Sequence, residues 1–261
     1  MNYSLSNRQP AEYLRKADEI AVEYRDIKAL ADYIDKYPGK KFNLILPIEN
    51  IEINWDEIVT CYELSRHNFV IGIINGSQMR EAKNREIPFY HRAMLHSFHE
   101  LRDLSEAGAS EVYLGAPLFF QLDRVKQNFP DIKIRAIANS ALPEGSMTPN
   151  NGVCGTWIRP EDVNQYDEYI DTIEFYGEHQ AVQALYRIYA EKHAWSGELR
   201  DLVKDLNHNA VNRMIPPTLA EARITCGQRC QENNHCHLCQ RLLDLADPEK
   251  WKNYLASQSD N

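Results

Sequence analysis

The alternation of short apolar runs with stretches of helical periodicity constrains this chain most. The runs are Phe42 to Leu46, Phe69 to Ile74, Glu111 to Leu114, Ile132 to Ala138, Thr156 to Ile158 and Thr172 to Tyr176. Between or after them, Asn54 to Arg66, Pro88 to Ala107, Leu118 to Asn128, Glu161 to Tyr169 and Ala181 to His193 have the spacing of helices. Each run is nearly continuous in its apolar character, which marks strands covered on both faces, as in a parallel sheet. Regular β/α alternation yields a doubly wound sheet or a barrel. No Gly-x-Gly-x-x-Gly and no Walker lysine loop follows any run, which removes the main sign of a nucleotide-binding open sheet. The expected fold is therefore α/β, a β/α barrel of the TIM type, complete or irregular.

From Pro10 to Tyr37 the residues Tyr13, Leu14, Ala17, Ile20, Ala21, Tyr24, Ile27, Leu30, Ala31 and Ile34 form one stripe, which predicts one or two helices before the first strand. The segment Asn207 to Thr225, with Pro216-Pro217, reads as a linker. The expected organisation is a barrel domain with an N-terminal helical segment over residues 1–206. Residues 207–261 would supply the linker, a cysteine-rich segment and a last helix, Gln240 to Leu255. The start carries no basic and apolar leader, and no run approaches the roughly 18 apolar residues that span a bilayer. A cytoplasmic protein without a membrane partner is the expectation. The net charge of -9 opposes strong nonspecific binding to nucleic acid, because that binding needs clustered cations.

Cys226, Cys230, Cys236 and Cys239 lie close enough for four thiolates to meet at one centre. Without a secretory leader, a metal site is the better reading than a disulfide framework. Zinc and a 4Fe-4S cluster both accept four cysteines. The short gap between the two pairs is nearer to cluster-binding loops, with zinc as the alternative. Cys61 reads as core, and Cys154 as a packed thiol, an extra ligand or a reactive group. His91, His96 and His99 read as one helix face without a second ligand cluster.

In a barrel, the loops after the strands build the active face. The groups at these exits are Glu49 and Asn50, Asn75 and Ser77, Asn139 and Ser140, Arg159 and Glu161, and Glu174, Tyr176 and His179. Arg159 suits a carboxylate or phosphate clamp. Glu174, in the middle of an apolar run, suits a general acid or base and needs a cationic partner, for which Arg159 is nearest in chain order. Asn75, Asn139 and Tyr176 would add substrate contacts. The competing reading of the Arg159/Glu174 pair is a structural ion pair.

Three motifs occur in sequence: Ala107-Gly108-Ala109-Ser110-Glu111-Val112-Tyr113-Leu114-Gly115, then Trp157-Ile158-Arg159-Pro160-Glu161-Asp162, then Ile173-Glu174-Phe175-Tyr176-Gly177. In this order they resemble the collagenase-like peptidase family U-32 over Leu104 to Gly177. The resemblance implies a barrel-like domain and, as in several members of that group, a 4Fe-4S cluster serving oxygen-independent hydroxylation of RNA bases or quinone precursors. The ligand role of the four cysteines rests on their spacing alone, since the cysteines that follow the third motif in the family are absent. No Ser-His-Asp order and no His-Glu-x-x-His is present, so peptidase activity is not expected. The expected function is that of an iron-sulfur barrel enzyme working by redox or hydroxylation chemistry on a small or nucleobase-like substrate. The alternative is a non-catalytic, zinc-stapled module that docks onto a larger assembly through the C-terminal tail or the N-terminal helix.

Overall fold

The computed structural model of the chain describes residues 1–48, 51–140, 155–175, 177, 179–204, 211–226 and 249. Its strands are β1 (Asn2–Ser6), β2 (Glu19–Glu23), β3 (Lys41–Ile45), β4 (Phe69–Ile73), β5 (Phe89–Leu95), β6 (Glu111–Leu114), β7 (Lys133–Ile137) and β8 (Thr172–Glu174). They form a closed barrel in chain order, and β1 pairs in parallel with both β2 and β8. The fold is a TIM-type β/α barrel with all eight strands present. The helices are α1 (Ala11–Lys16), α2 (Ile27–Lys36), α3 (Trp55–Leu64), α4 (Gly76–Asn84), α5 (Phe98–Ala107), α6 (Ala116–Phe119), α7 (Leu122–Asn128), α8 (Val163–Tyr166), α9 (His179–Ala190), α10 (Leu199–Leu202) and α11 (Thr218–Thr225). None of the described helices is long and apolar enough to cross a membrane.

The chain divides into two compact units. One comprises Met1–Tyr113, Phe129–Arg135 and Ile170–Glu174, and holds nearly all of the strand residues. The other comprises Leu114–Asn128, Ala136–Tyr169 and the described part of Phe175–Asn261.

Local chemistry sets the element boundaries of the first unit. All five residues of β4 are buried, because one face meets the barrel interior and the other the helical layer. Asn54 caps α3 and Asn75 caps α4, each through its side-chain oxygen. Ser97 and Glu100 form a reciprocal capping box at the start of α5, and Gly108 ends that helix at φ 94°, a left-handed conformation that favours glycine.

The structure corrects several expectations. Three strands were not expected: β1 and β2 precede the first expected strand, and β5 occupies the first half of the stretch Pro88 to Ala107, where only α5 is helical. The stripe from Pro10 to Tyr37 is therefore α1, β2 and α2. Thr156 to Ile158 is buried but is not a strand, so Arg159 does not stand at a strand exit and instead precedes a 3-10 turn, Pro160–Asp162. The segment expected as a linker contains α11, with Leu219, Ala220, Arg223 and Ile224 buried. The expected helix Gln240 to Leu255 lies outside the described residues apart from one position.

Candidate functional site: a buried charge cluster

Five charged side chains from five strands meet inside the barrel. Arg135, in the middle of β7, is fully buried. Its Nη1 donates to Glu111 Oε2 at 2.6 Å and to Glu19 Oε2 at 3.1 Å. Its Nε donates to Glu174 Oε1 at 2.9 Å, and its Nη2 reaches Glu19 and Glu174 as well. Lys41 Nζ pairs with Glu19 at 3.0 Å and also with Glu111. Glu19 opens β2, Lys41 opens β3, Glu111 opens β6 and Glu174 ends β8. Since β7 and β2, or β3 and β6, are not neighbours in the barrel, these contacts cross its interior.

The cluster is built to survive burial. Tyr90 and Tyr113 present their rings to the guanidinium, with centroids 4.6 Å and 6.0 Å from its carbon, a cation-π arrangement. The Tyr90 hydroxyl donates to Asn43 Oδ1 at 3.2 Å, while Asn43 Nδ2 donates to Glu19 Oε1 at 3.2 Å. An unpaired buried carboxylate costs several kcal/mol, so each acid here needs its cation. Burial pushes the Glu19 carboxyl up, but the charge and hydrogen bonds of Arg135 and the charge of Lys41 outweigh it and hold the group at about 2. Burial raises both phenols, and the negative charge of Glu174 adds to it, so Tyr90 and Tyr113 remain protonated donors. The cluster reaches solvent at Glu174 and at Lys41, whose side chains are 23% and 18% exposed, while those of Arg135 and Glu19 are 0% exposed. Both arginine contacts to Glu174 fall on Oε1.

Glu174 ends β8, and its cation is Arg135 and not Arg159. Arg159 is buried in the second unit, where Nε and Nη2 bind Asp162 Oδ2 and Oδ1 at 2.6 Å and 2.8 Å. Its Nη1 donates to the carbonyls of Ile215 at 3.1 Å and Asn212 at 3.3 Å. The reason is local: the turn after Arg159 brings Asp162 into a fork-to-fork pair, and the remaining donors staple residues 212–216. Burial raises the Asp162 carboxyl despite the opposing pull of Arg159.

The other expected residues are placed as follows. Asn75 Oδ1 accepts from Ser77 N at 2.8 Å and Ser77 Oγ at 2.7 Å, and both residues line an open cavity of about 550 Å³ with Trp55 and Gln78. Asn139 is buried, and its carbonyl accepts from Lys204 N at 2.8 Å. Ser140 forms an isolated bridge with Lys204, and Glu161 accepts from Asn212 Nδ2. His179 opens α9. His91 lies on β5, with Nε2 3.2 Å from the Ile74 carbonyl, whereas exposed His99 pairs with Asp103 at 3.1 Å. Cys61 is buried on α3, its thiol pushed up to about 11 by burial and then by Glu57. Cys226 caps the C-terminus of α11 and is partly exposed. Glu49, Asn50, Cys154, Tyr176, Cys230, Cys236 and Cys239 lie outside the described residues. Among the described residues, no group of three or more His, Cys, Asp or Glu is placed to hold a metal.

Sequence reasoning missed Arg135, Glu19 and Glu111. The signal for Arg135 was the same one that singled out Glu174: a charge inside an apolar run, here Ile132 to Ala138.

No family model matches the sequence, and no curated protein matches it. Solved structures to which the chain is similar include the following. A glycerol uptake operon antiterminator regulatory protein from Listeria monocytogenes is 14% identical, with a TM-score of 0.42, over 69% of this chain and 94% of that one. An orotidine 5'-monophosphate decarboxylase from Metallosphaera sedula is 17% identical, with a TM-score of 0.40, over 73% of this chain and 98% of that one. A cube-shaped, porous protein cage designed by fusing symmetric oligomeric domains is 16% identical, with a TM-score of 0.43, over 99% of this chain and 84% of that one.

Proposed function

We propose that the chain is a barrel enzyme of the kind the U-32 resemblance implies, iron-sulfur dependent and acting by redox or hydroxylation chemistry on a small or nucleobase-like substrate. The observation that carries the reading is Glu174, the carboxylate of the charge cluster that reaches solvent, with 23% of its side chain exposed against 0% for Glu19 and 3% for Glu111. Arg135 fixes its carboxylate, and a carboxylate held in this way can take a proton from, or return one to, a substrate atom within hydrogen-bond reach. Arg135 is a positioning residue in this scheme. Arg159, spent on Asp162 and backbone carbonyls, has no part in it.

The donor set Cys226, Cys230, Cys236 and Cys239 fits a 4Fe-4S cluster in number and in ligand softness. When bound, such a cluster supplies single-electron transfer. Anaerobic purification followed by visible spectroscopy and metal analysis tests the reading. About four iron and four sulfide per chain, with a chromophore bleached by dithionite and lost in Cys236→Ala, are expected. Stoichiometric zinc in a colourless protein would overturn it in favour of the zinc-stapled docking module.

A further inference from the structure

We infer that the barrel carries an oxyanion subsite built on Arg92, which takes the carboxylate or phosphate group of a small molecule. Arg92 is two residues beyond Tyr90 on β5, so both side chains leave the strand on its inner face. Gly72 on β4 makes room for them: a Cβ there would lie 2.6 Å from Tyr90 Oη and 3.2 Å from Arg92 Cδ. His91 is in register with Ile73, the last residue of β4, so Arg92 stands level with the end of that strand. Its Nη1 donates to the carbonyl of Leu46, one residue beyond β3, at 3.0 Å. The guanidinium is thereby held at the C-terminal strand ends, where barrels bind their ligands.

Its partners are the second part of the argument. A guanidinium has five N–H donors, and among the described residues the one hydrogen bond of Arg92 goes to an uncharged carbonyl. Arg135 has three carboxylates, Arg85 has two, and Arg159 has Asp162. Arg92 has no carboxylate among the described residues, and it is only partly buried. A planar fork with unspent donors at the mouth of a barrel matches an oxyanion from outside the chain. The rival account is internal: three glutamates face Arg135 and Lys41, and Arg92 would only balance the surplus negative charge.

The inference uses the proposed site for its location and not for its chemistry, so it is tested without turnover and without reference to the cluster. Melting and calorimetric titration of the full chain with inorganic phosphate and with acetate, each against sodium chloride at matched ionic strength, are compared for the wild type, Arg92→Gln, Arg92→Lys and Arg102→Gln. Arg102 is an exposed arginine on α5 and serves as the surface control. Phosphate or acetate should stabilise the wild type and Arg102→Gln alike, the more effective anion identifying the ligand group. Arg92→Gln should weaken binding about tenfold or more, the usual loss for a charged hydrogen-bond partner. Arg92→Lys keeps the charge and loses the fork, so it should fall between; it also carries the test if the glutamine variant does not fold. Equal binding by wild type and Arg92→Lys, or no anion effect beyond the chloride control, overturns the subsite. A chain that binds these anions through Arg92 but contains no iron would retain the subsite and lose the proposed function.

Discussion

Glu19→Gln removes one charge from the barrel interior with almost no change of shape, and its cost follows from the cluster. The Glu19 carboxyl falls from an ordinary 4.5 to about 2 in the folded chain, because the attraction of Arg135 and Lys41 exceeds the burial penalty. At about 1.4 kcal/mol for each tenfold change in proton affinity, this fall is worth about 3 kcal/mol of stability. A depressed carboxyl contributes its stability above the unfolded value and loses it as pH falls through the folded one. The term is therefore complete at neutral pH, begins to fade below 4.5 and is gone near 2. Urea unfolding of the wild type and Glu19→Gln, followed by near-ultraviolet circular dichroism, should show a gap of about 3 kcal/mol at about pH 7 that narrows steadily towards about pH 3. Carboxylates that share no partner with Glu19 contribute equally to both chains and cancel in the difference. A gap that stays constant with pH would place the loss in packing instead of charge. A gap below about 1 kcal/mol at neutral pH would mean that Glu19 is not held ionised by its partners, and the reasoning would fail.

Arg159→Lys should lower the melting temperature, by about 2 kcal/mol of stability, since lysine cannot reproduce the two-point contact with Asp162 and the carbonyl bonds; an unchanged melt would reopen a ligand role for Arg159. Gly72→Ala should cost about 1 to 3 kcal/mol, read by urea unfolding, because its methyl would collide with Tyr90; phosphate binding should weaken as Arg92 is displaced. Cys61, with its thiol held at about 11, should resist iodoacetamide at neutral pH in the folded chain and react once urea is added, as peptide mass spectrometry would report.

The strands that sequence reasoning found and those it missed differ in what faces the barrel interior. In β4 both faces are buried, and the run Phe69 to Ile73 is apolar throughout apart from Gly72. In β2 the interior positions are Glu19, Ala21 and Glu23, while Ile20 and Val22 are buried against the outer layer. That polar alternation lasts only five residues, and it merges with the apolar spacing of α1 and α2 into a continuous helical stripe. In β5 the inward residues include Tyr90 and Arg92, which hide the strand in the same way. Arg159 was misplaced for a related reason. Trp157 and Ile158 are as buried as strand residues, but their short run between Gly155 and Pro160 carries no ladder.

A barrel interior is usually filled by layers of branched apolar side chains. Here charges occupy the centre, and they bind strands to register as well as to each other. A slip of one residue in β7 would turn Arg135 outward and leave Glu19 and Glu111 buried without it, at a cost of several kcal/mol. The contacts of Arg135 reach across from β7 to β2, so they form only when the barrel has closed. The stability assigned to Glu19 is therefore a closure term. Glu174 sits on β8, the strand that completes the circle against β1, and receives its orientation from the same guanidinium. Closure and the setting of the proposed proton carrier are one event, so a variant that loosens the cluster should disorder Glu174 before it unfolds the outer helices.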